Sequence, residues 1–257
     1  MLNVTTLGSG SAGNCALVES ARCRLLIDAG LSARQIVLRL AEAGVEPSQL
    51  DGILLTHEHC DHAKGLEVLL KKFDIPIYSN SLTAEALGEN IRKRARIFQT
   101  GSEFSLNDIV VQTFSIPHDA VDPAGFILHA GSAALGFCTD LGFATKLVME
   151  RLRTAHTILI ETNHDEKMLQ ENPYRPWSLK QRIMSRHGHL SNVAAASVLE
   201  QLAGNGLRRA ILAHLSRDCN TPEIASTTVR SQLARAGETT VEIFCATQDK
   251  ISPRFAV

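Results

Sequence analysis

The segment THEHCDHAKG, residues 56–65, brings His57, His59, Asp61 and His62 together directly after the apolar run Ile53-Leu54-Leu55. A neutral imidazole in a packed site needs partners for both ring nitrogens. A polar surface turn rich in histidine is the plain alternative, but a metal ion is the partner that uses several imidazoles at once. His57 and His59 sit two apart on a loop leaving a strand, where both rings can turn toward one ion. Asp61 and His62 lie a short turn further on and can reach a second. A two-ion site of this kind needs about three more donors. His118 in FSIPHDA, Asp140 in GFCTDLG and His214 in ILAHLS offer them, each at the end of a strand-like run.

Rigid elements must hold those donors. Strand-like runs open the chain, LNVTTL, CALVES and RCRLLID, separated by glycine-rich turns. A helix is expected over Ser32–Ala43, with Ser32 as N-cap and Gly44 as its stop. GILLT forms the buried strand before the histidine loop, followed by a helix over Ala63–Lys72 and the strand IPIYS. A basic helix spans Ala84–Arg96, and EFSL, DIVVQTFSI, AGFILHA and SAALGFCTD read as consecutive strands. The second half alternates a helix near Ala144–Arg153, strand HTILIE, helix Asn192–Ala203, strand RRAILAH, helix Pro222–Ala236 and strand TVEIFCA. Strands in clusters with helices after each cluster predict two mixed β-sheets packed face to face with helices outside. With no linker-like boundary, low-complexity segment or short repeat, residues 1–257 read as one domain.

Composition is that of an ordinary soluble protein, 44% hydrophobic and 21% charged, with a formal net charge of −1. Any polyanion must therefore be held by local basic patches. The six cysteines form no CxxC pair, which argues against a zinc ribbon or disulfide framework and fits a reducing compartment. MLNVTTLGSGSAGN carries no signal-peptide pattern, and no apolar run is long enough for a membrane helix. A cytoplasmic protein with no membrane partner is expected.

HxHxDH followed by a single His, a single Asp and a late single His resembles the metallo-β-lactamase superfamily over nearly the whole chain. LLIDAG, with Asp28, is similar to that superfamily's first motif, where the Asp braces the metal loop. The resemblance implies an αββα sandwich. Carried over by position, it implies that His57, His59 and His118 hold one ion, that Asp61, His62 and His214 hold the other, and that Asp140 bridges them. The cofactors implied are two divalent metal ions, Zn2+ or Mn2+; Asp61 counts among the catalytic residues as well as the ligands.

Fold alone does not set the reaction. Redox di-iron members replace the second His of HxHxDH with an acid; His59 is intact here, which favours hydrolysis by a metal-bridging hydroxide. ILIETN, GHLSN and ILAHLS resemble three segments of the tRNase Z-like nucleases. That likeness implies that Glu161 and His189 cooperate to protonate a leaving oxygen. The sequence departs from that pattern at ETN and LSN, and no long arm for tRNA is visible. The set GSGSAGN, THEHCDH, ETNHD, PYRPWSLKQRI, GHLSN and HLSRDCN resembles the YycJ/WalJ/VicX branch, a group of cytoplasmic 5′-to-3′ exonucleases. The stretch between Asp140 and His214 is too short for an inserted β-CASP domain.

These features predict a dinuclear phosphodiesterase, an exonuclease on DNA, with RNA as a further candidate substrate. Substrate contacts are expected from Arg175, Trp177 and Lys180, because aromatic faces stack bases while cations hold phosphates. A loop anchored to the core by its aromatics is the alternative for that stretch, and a solvated helix face for Arg92, Lys93, Arg94 and Arg96. Ser191 and Asn192 open a helix whose N–H groups can hold a phosphate, or they simply cap it. His164 falls between a substrate contact and a loop residue. His129 and His156 read as structural, His187 as part of a surface loop, and Cys60 as a small filler pointing away from the ligands. Two rivals remain: a small-molecule hydrolase acting on a thioester, lactone or cyclic phosphodiester, and a non-enzymatic nucleic-acid or partner-binding protein.

Overall fold

The computed structural model describes residues 1–257. One seven-stranded sheet holds β1 (Asn3–Gly8), β2 (Cys15–Glu19), β3 (Arg24–Ile27), β4 (Gly52–Leu54), β5 (Ile77–Ser79) and β6 (Ala95–Ile97) in that order, with β14 (Phe255–Ala256) beside β1. The second, also of seven, runs from β7 (Glu103–Leu106) through β8 (Ile109–Ser115), β9 (Ala124–Ala130), β10 (Ala133–Cys138), β11 (Thr157–Glu161) and β12 (Arg209–Ala213) to β13 (Glu242–Cys245). Both are mixed. Pairing is antiparallel from β14 to β3 and from β7 to β10. It is parallel from β3 to β6 and from β10 to β13.

Helices cover both outer faces. They are α1 (Ala33–Glu42), α2 (Cys60–Ala63), α3 (Leu66–Lys72), α4 (Ser81–Ala86) and α5 (Glu89–Arg94) in the first half. The second half adds α6 (Lys146–Leu152), α7 (Glu166–Glu171), α8 (Trp177–Ile183), α9 (Asn192–Leu202) and α10 (Pro222–Arg235). The period-two alternation of strand side chains assigns the layers. Leu25, Ile27 and Leu54 point inward onto Val111, Phe126, Leu159 and Ile211 of the other sheet. Leu26 and Ile53 point outward onto Ile36 and Leu40 of α1 and Leu69 of α3. Ile158, Ile160 and Leu212 face Val148, Leu199 and Val229 of α6, α9 and α10. Strands covered on both faces read as continuous apolar runs, as RLLI and TILIE do. The fold is the expected αββα sandwich. No helix is long and apolar enough to cross a membrane.

Three local expectations change. The helix expected over Ala63–Lys72 is broken between α2 and α3 at Gly65, whose N–H donates to Ala29 O. A Cβ there would lie 2.1 Å from Leu31 O, so the chain bends where the loop after β3 packs against it. The basic helix expected over Ala84–Arg96 is interrupted at Gly88, which takes the left-handed φ of 98° that glycine tolerates. Its last two residues, Ala95 and Arg96, instead belong to edge strand β6. The stretch after Pro176 is a helix, α8, and its aromatics anchor nothing: Tyr174 is 93% and Trp177 61% exposed.

Candidate metal centre

Every expected donor leaves the carboxyl end of a strand. Asp28 follows β3 and the histidine loop follows β4; His118 follows β8, Asp140 follows β10, Glu161 ends β11 and His214 follows β12. Parallel pairing of β3 with β4 and of β10 through β12 sets these ends along one rim, where open sheets place their sites. Asp28, Asp140 and His214 adopt φ of 62°, 56° and 54°, a left-handed conformation that costs an L-residue of order 1 kcal/mol or more. Each turns the chain off its strand at that point. The loop seats tightly as well: a Cβ on Gly30 would fall 1.7 Å from Asp61 O.

The rings converge in two groups. His57, His59 and His118 present donor atoms within 4.8 Å of one another, and so do Asp61, His62 and His214. Asp140 lies between the groups. Its Oδ2 is 3.0 Å from His62 Nε2, and its Oδ1 is 3.2 Å from His214 Nδ1 and 3.7 Å from His118 Nε2. His59 Nδ1 and His118 Nε2 face each other at 3.2 Å, and His214 Nε2 lies 3.2 Å from Asp61 Oδ2.

Hydrogen bonds behind the rings fix which nitrogen points inward. Asp28 Oδ1 accepts Thr56 N–H at 2.9 Å, and its Oδ2 accepts His62 Nδ1–H at 2.7 Å. The Thr56 hydroxyl, 2.9 Å from Asp28 Oδ2, has one proton and gives it to the carboxylate. Its oxygen therefore accepts from His57 Nδ1 at 2.9 Å, which leaves His57 Nε2 a bare lone pair. Gly188 O accepts His118 Nδ1–H at 3.1 Å with the same consequence. Glu161 is the counterpart of Asp28 on the second sheet. Its Oε1 takes His189 Nδ1 and His214 Nδ1, each at 2.8 Å, and its Oε2 takes the Leu141 and Leu190 N–H groups, each at 3.0 Å. Carboxylates placed this way orient metal-binding rings and raise their basicity.

The charge balance calls for cations. Burial alone would keep His62 neutral, but Asp140 and Asp28 hold it protonated well above the usual imidazole range. Burial likewise opposes charge on His214, yet Asp140 and the hydrogen bonds to Asp61 and Glu161 push it up to about 10. Asp140, which burial alone would push up, is held well below the carboxylate range by His214 and His62. Burial, then the neighbouring His62, push His57 well below the usual imidazole range. His57 Nε2 is buried without any partner, and Asp140 Oδ2 meets only His62 Nε2, although buried polar atoms are almost always satisfied. A bare imidazole nitrogen among converging imidazoles and carboxylates fits divalent metal ions, the cofactor this donor set takes.

A cavity of about 320 Å³ opens over the cluster, lined by His59, Asp61, His118, Asp140, His189 and His214 on its floor and by Arg175, Leu179 and Arg182 on its wall. Other expected contacts fall elsewhere. Lys180 is buried, with Nζ on Gln170 O at 2.7 Å, and Trp177 does not line the cavity. Ser191 caps α9 and donates to Glu166, Asn192 pairs with Asn220, and His164 is buried behind the rim. Cys60 is exposed and opens onto the cavity. Sequence reasoning passed over Thr56, Asn14 and Asp119. Thr56 stands next to His57 in the chain, so its signal was present. Asn14 Nδ2 reaches His62 Nε2 at 3.1 Å from the glycine-rich turn, and Asp119 bonds Arg182 across the cavity mouth.

Residues 23–215 match the family model described as the beta-lactamase superfamily domain. Exodeoxyribonuclease WalJ of Streptococcus pneumoniae is 38% identical over 236 residues, 90% of this chain and 87% of that protein. Exodeoxyribonuclease YycJ of Bacillus anthracis is 36% identical over 240 residues, 92% of this chain and 90% of that protein. Among solved structures, Zn2+-bound PqqB from Methylobacterium extorquens shares the fold with a TM-score of 0.74 at 15% identity, over 97% of this chain and 99% of that one. A rim of strand ends carrying paired His/Asp donors and a sequence match across most of the chain lead to one conclusion: this chain belongs to the β-lactamase superfamily.

Proposed function

We propose that the protein is a metal-dependent exonuclease that cleaves DNA from the 5′ end, with RNA as a second substrate, in the cytoplasm. One observation supports this reading above the rest. His189 Nδ1 is tied to Glu161 at 2.8 Å, and its Nε2 has no protein partner on a ring that lines the cavity beside the ligands. Burial opposes charge on His189, but the Glu161 carboxylate raises its pKa above the ordinary value, the direction a general acid needs. A sugar alkoxide is a poor leaving group, and a positioned acid typically contributes ~10²–10⁴-fold. The exodeoxyribonuclease relatives named above support nucleic acid as the substrate class.

His57, His59 and His118 would hold one ion, Asp61, His62 and His214 the other, with Asp140 between. Zinc suits the three-histidine group, and His/Asp sets also take manganese. When bound, the ions supply Lewis-acid polarisation of a phosphoryl oxygen and a lowered pKa for the attacking water. The protein does the rest. Asp28 and Glu161 keep the rings aimed, Arg175 and Arg182 offer phosphate contacts along the wall, and exposed Trp177 and Tyr174 offer stacking faces outside it. Six unpaired cysteines, among them buried Cys15, Cys23, Cys138 and Cys219, support a reducing compartment.

The test compares leaving groups. His189→Ala should cripple DNA cleavage yet spare bis(p-nitrophenyl) phosphate, whose nitrophenolate departs without an acid. Equal loss on both substrates would make His189 a ligand or a framework residue. Turnover of a thioester or lactone with DNA left intact would move the chain to the small-molecule hydrolases.

A further inference from the structure

A second cavity of about 400 Å³ adjoins the first. The two share Ser11, Arg175 and Ser216, so a single threshold divides them. The second is built from the glycine-rich loop after β1, the loop after β12 and the loop after β13, all on the same rim as the donors. Its wall is fixed in place: Gln248 Oε1 accepts Ala12 N–H at 2.9 Å, and its Nε2 donates to Gly13 O at 2.8 Å.

The donors around this chamber are only partly spent. Arg175 lines both cavities and gives one terminal nitrogen to Asp218 at 3.1 Å, so part of its guanidinium stays available to a ligand at the threshold. Arg217, exposed on the chamber's lining, makes no ion pair with the protein. The hydroxyl of Ser11 is free between the two cavities. Against these stands Asp249, unpaired on the same lining, which opposes an anion and limits its affinity.

We propose that this chamber is a subsite for the nucleotide adjoining the scissile bond, with the next phosphate of the strand held by the Arg175 guanidinium at the threshold and by Arg217 beyond it. The inference rests on the nuclease reading and deepens it. It makes the substrate a polynucleotide of at least three residues rather than a dinucleotide or a cyclic phosphodiester. Arg217 comes from HLSRDCN, whose histidine serves the metal site but whose arginine has no role there.

The experiment uses the metal-loaded full chain with 5′-phosphorylated oligothymidylates of two, three and four nucleotides, and with bis(p-nitrophenyl) phosphate. KM should fall about tenfold from dimer to trimer, the gain expected of one added charge-assisted contact. Arg217→Ala should erase that step, Arg217→Lys should keep part of it, and Asp249→Asn should lower KM for the trimer. The same order should hold in the Kd of a phosphorothioate trimer, and the salt slope of that Kd should drop by about 0.7 in Arg217→Ala. Arg153→Ala, on the outer helix α6 side, serves as the neutral control. A dimer-to-trimer step that survives in Arg217→Ala, or an equal loss at every length, overturns the subsite while leaving the nuclease reading intact. If the wild type hydrolyses bis(p-nitrophenyl) phosphate but no oligonucleotide, the nuclease reading fails and takes the subsite with it.

Discussion

Glu161→Gln tests whether one buried carboxylate organises half of the metal centre. Glu161 is fully buried and accepts four hydrogen bonds, from His189, His214, Leu141 and Leu190. The amide keeps the shape but places a donor against donors whichever way it turns. Burial alone would raise the Glu161 pKa, yet His189 and His214 bring it from an ordinary 4.5 down to about 2. At about 1.4 kcal/mol per pKa unit, that depression corresponds to roughly 3 kcal/mol of stability. Breaking a buried charged pair by removing one partner costs a similar ~3–5 kcal/mol. The metal-free variant should therefore unfold in urea with a free energy lower by about 3 kcal/mol near neutral pH.

The pH dependence has a definite sign. Glu161 is depressed, so its contribution is present above its ordinary pKa and lost only as pH falls through about 2. His214 is raised, so its contribution is full below the ordinary 6.5 and is lost as pH rises through about 10. Glu161→Gln removes part of what lifts His214. The gap between wild type and variant should be widest near about pH 6 and narrow by about pH 9.5. Chelator-treated proteins unfolded in urea at both values measure it. A gap under about 1 kcal/mol, or one that widens with pH, would refute the assignment of Glu161 as the shared brace.

Two further outcomes follow from the same geometry. Asp28→Asn should weaken metal binding by ~10–100-fold, because Thr56 and His62 lose the acceptor that fixes their orientation. Competition with a chromogenic chelator reads that directly, and unchanged affinity would deny Asp28 its role. Loading the metal-free protein at about pH 7.5 should release at least about one proton per chain, since His62 and His214 are both held protonated without ions. Calorimetry in two buffers of different ionisation enthalpy reports it; heats that do not depend on buffer would contradict the charge balance described for the site.

The donors were legible in the sequence because four of them share one loop and the rest each end an apolar run. His57 to His62 announce themselves through spacing, whereas Glu161 and His189 became visible only through resemblance, since 28 positions separate partners that meet at 2.8 Å. Thr56 stands beside His57 but acts through Asp28, and Asn14 acts through His62, partners 28 and 48 positions away that meet only when β1 to β4 pair in one sheet. The helical character of α8 was masked by Pro173 and Pro176, although Leu179 and Ile183, four residues apart, both face the cavity. The same turn carries Lys180 away from it, onto Gln170 O. Breaks at Gly65 and Gly88 were missed because helical periodicity continues across a glycine, while the backbone does not have to.

The most direct test of the account is cleavage of 5′- and 3′-end-labelled single- and double-stranded DNA by chelator-stripped protein reloaded stepwise with zinc or manganese. The account predicts release of nucleotides from the 5′ end, absent in chelator and rising until about two equivalents are bound. Cleavage undiminished by chelation, or loaded protein that turns over bis(p-nitrophenyl) phosphate and leaves every DNA intact, would contradict it.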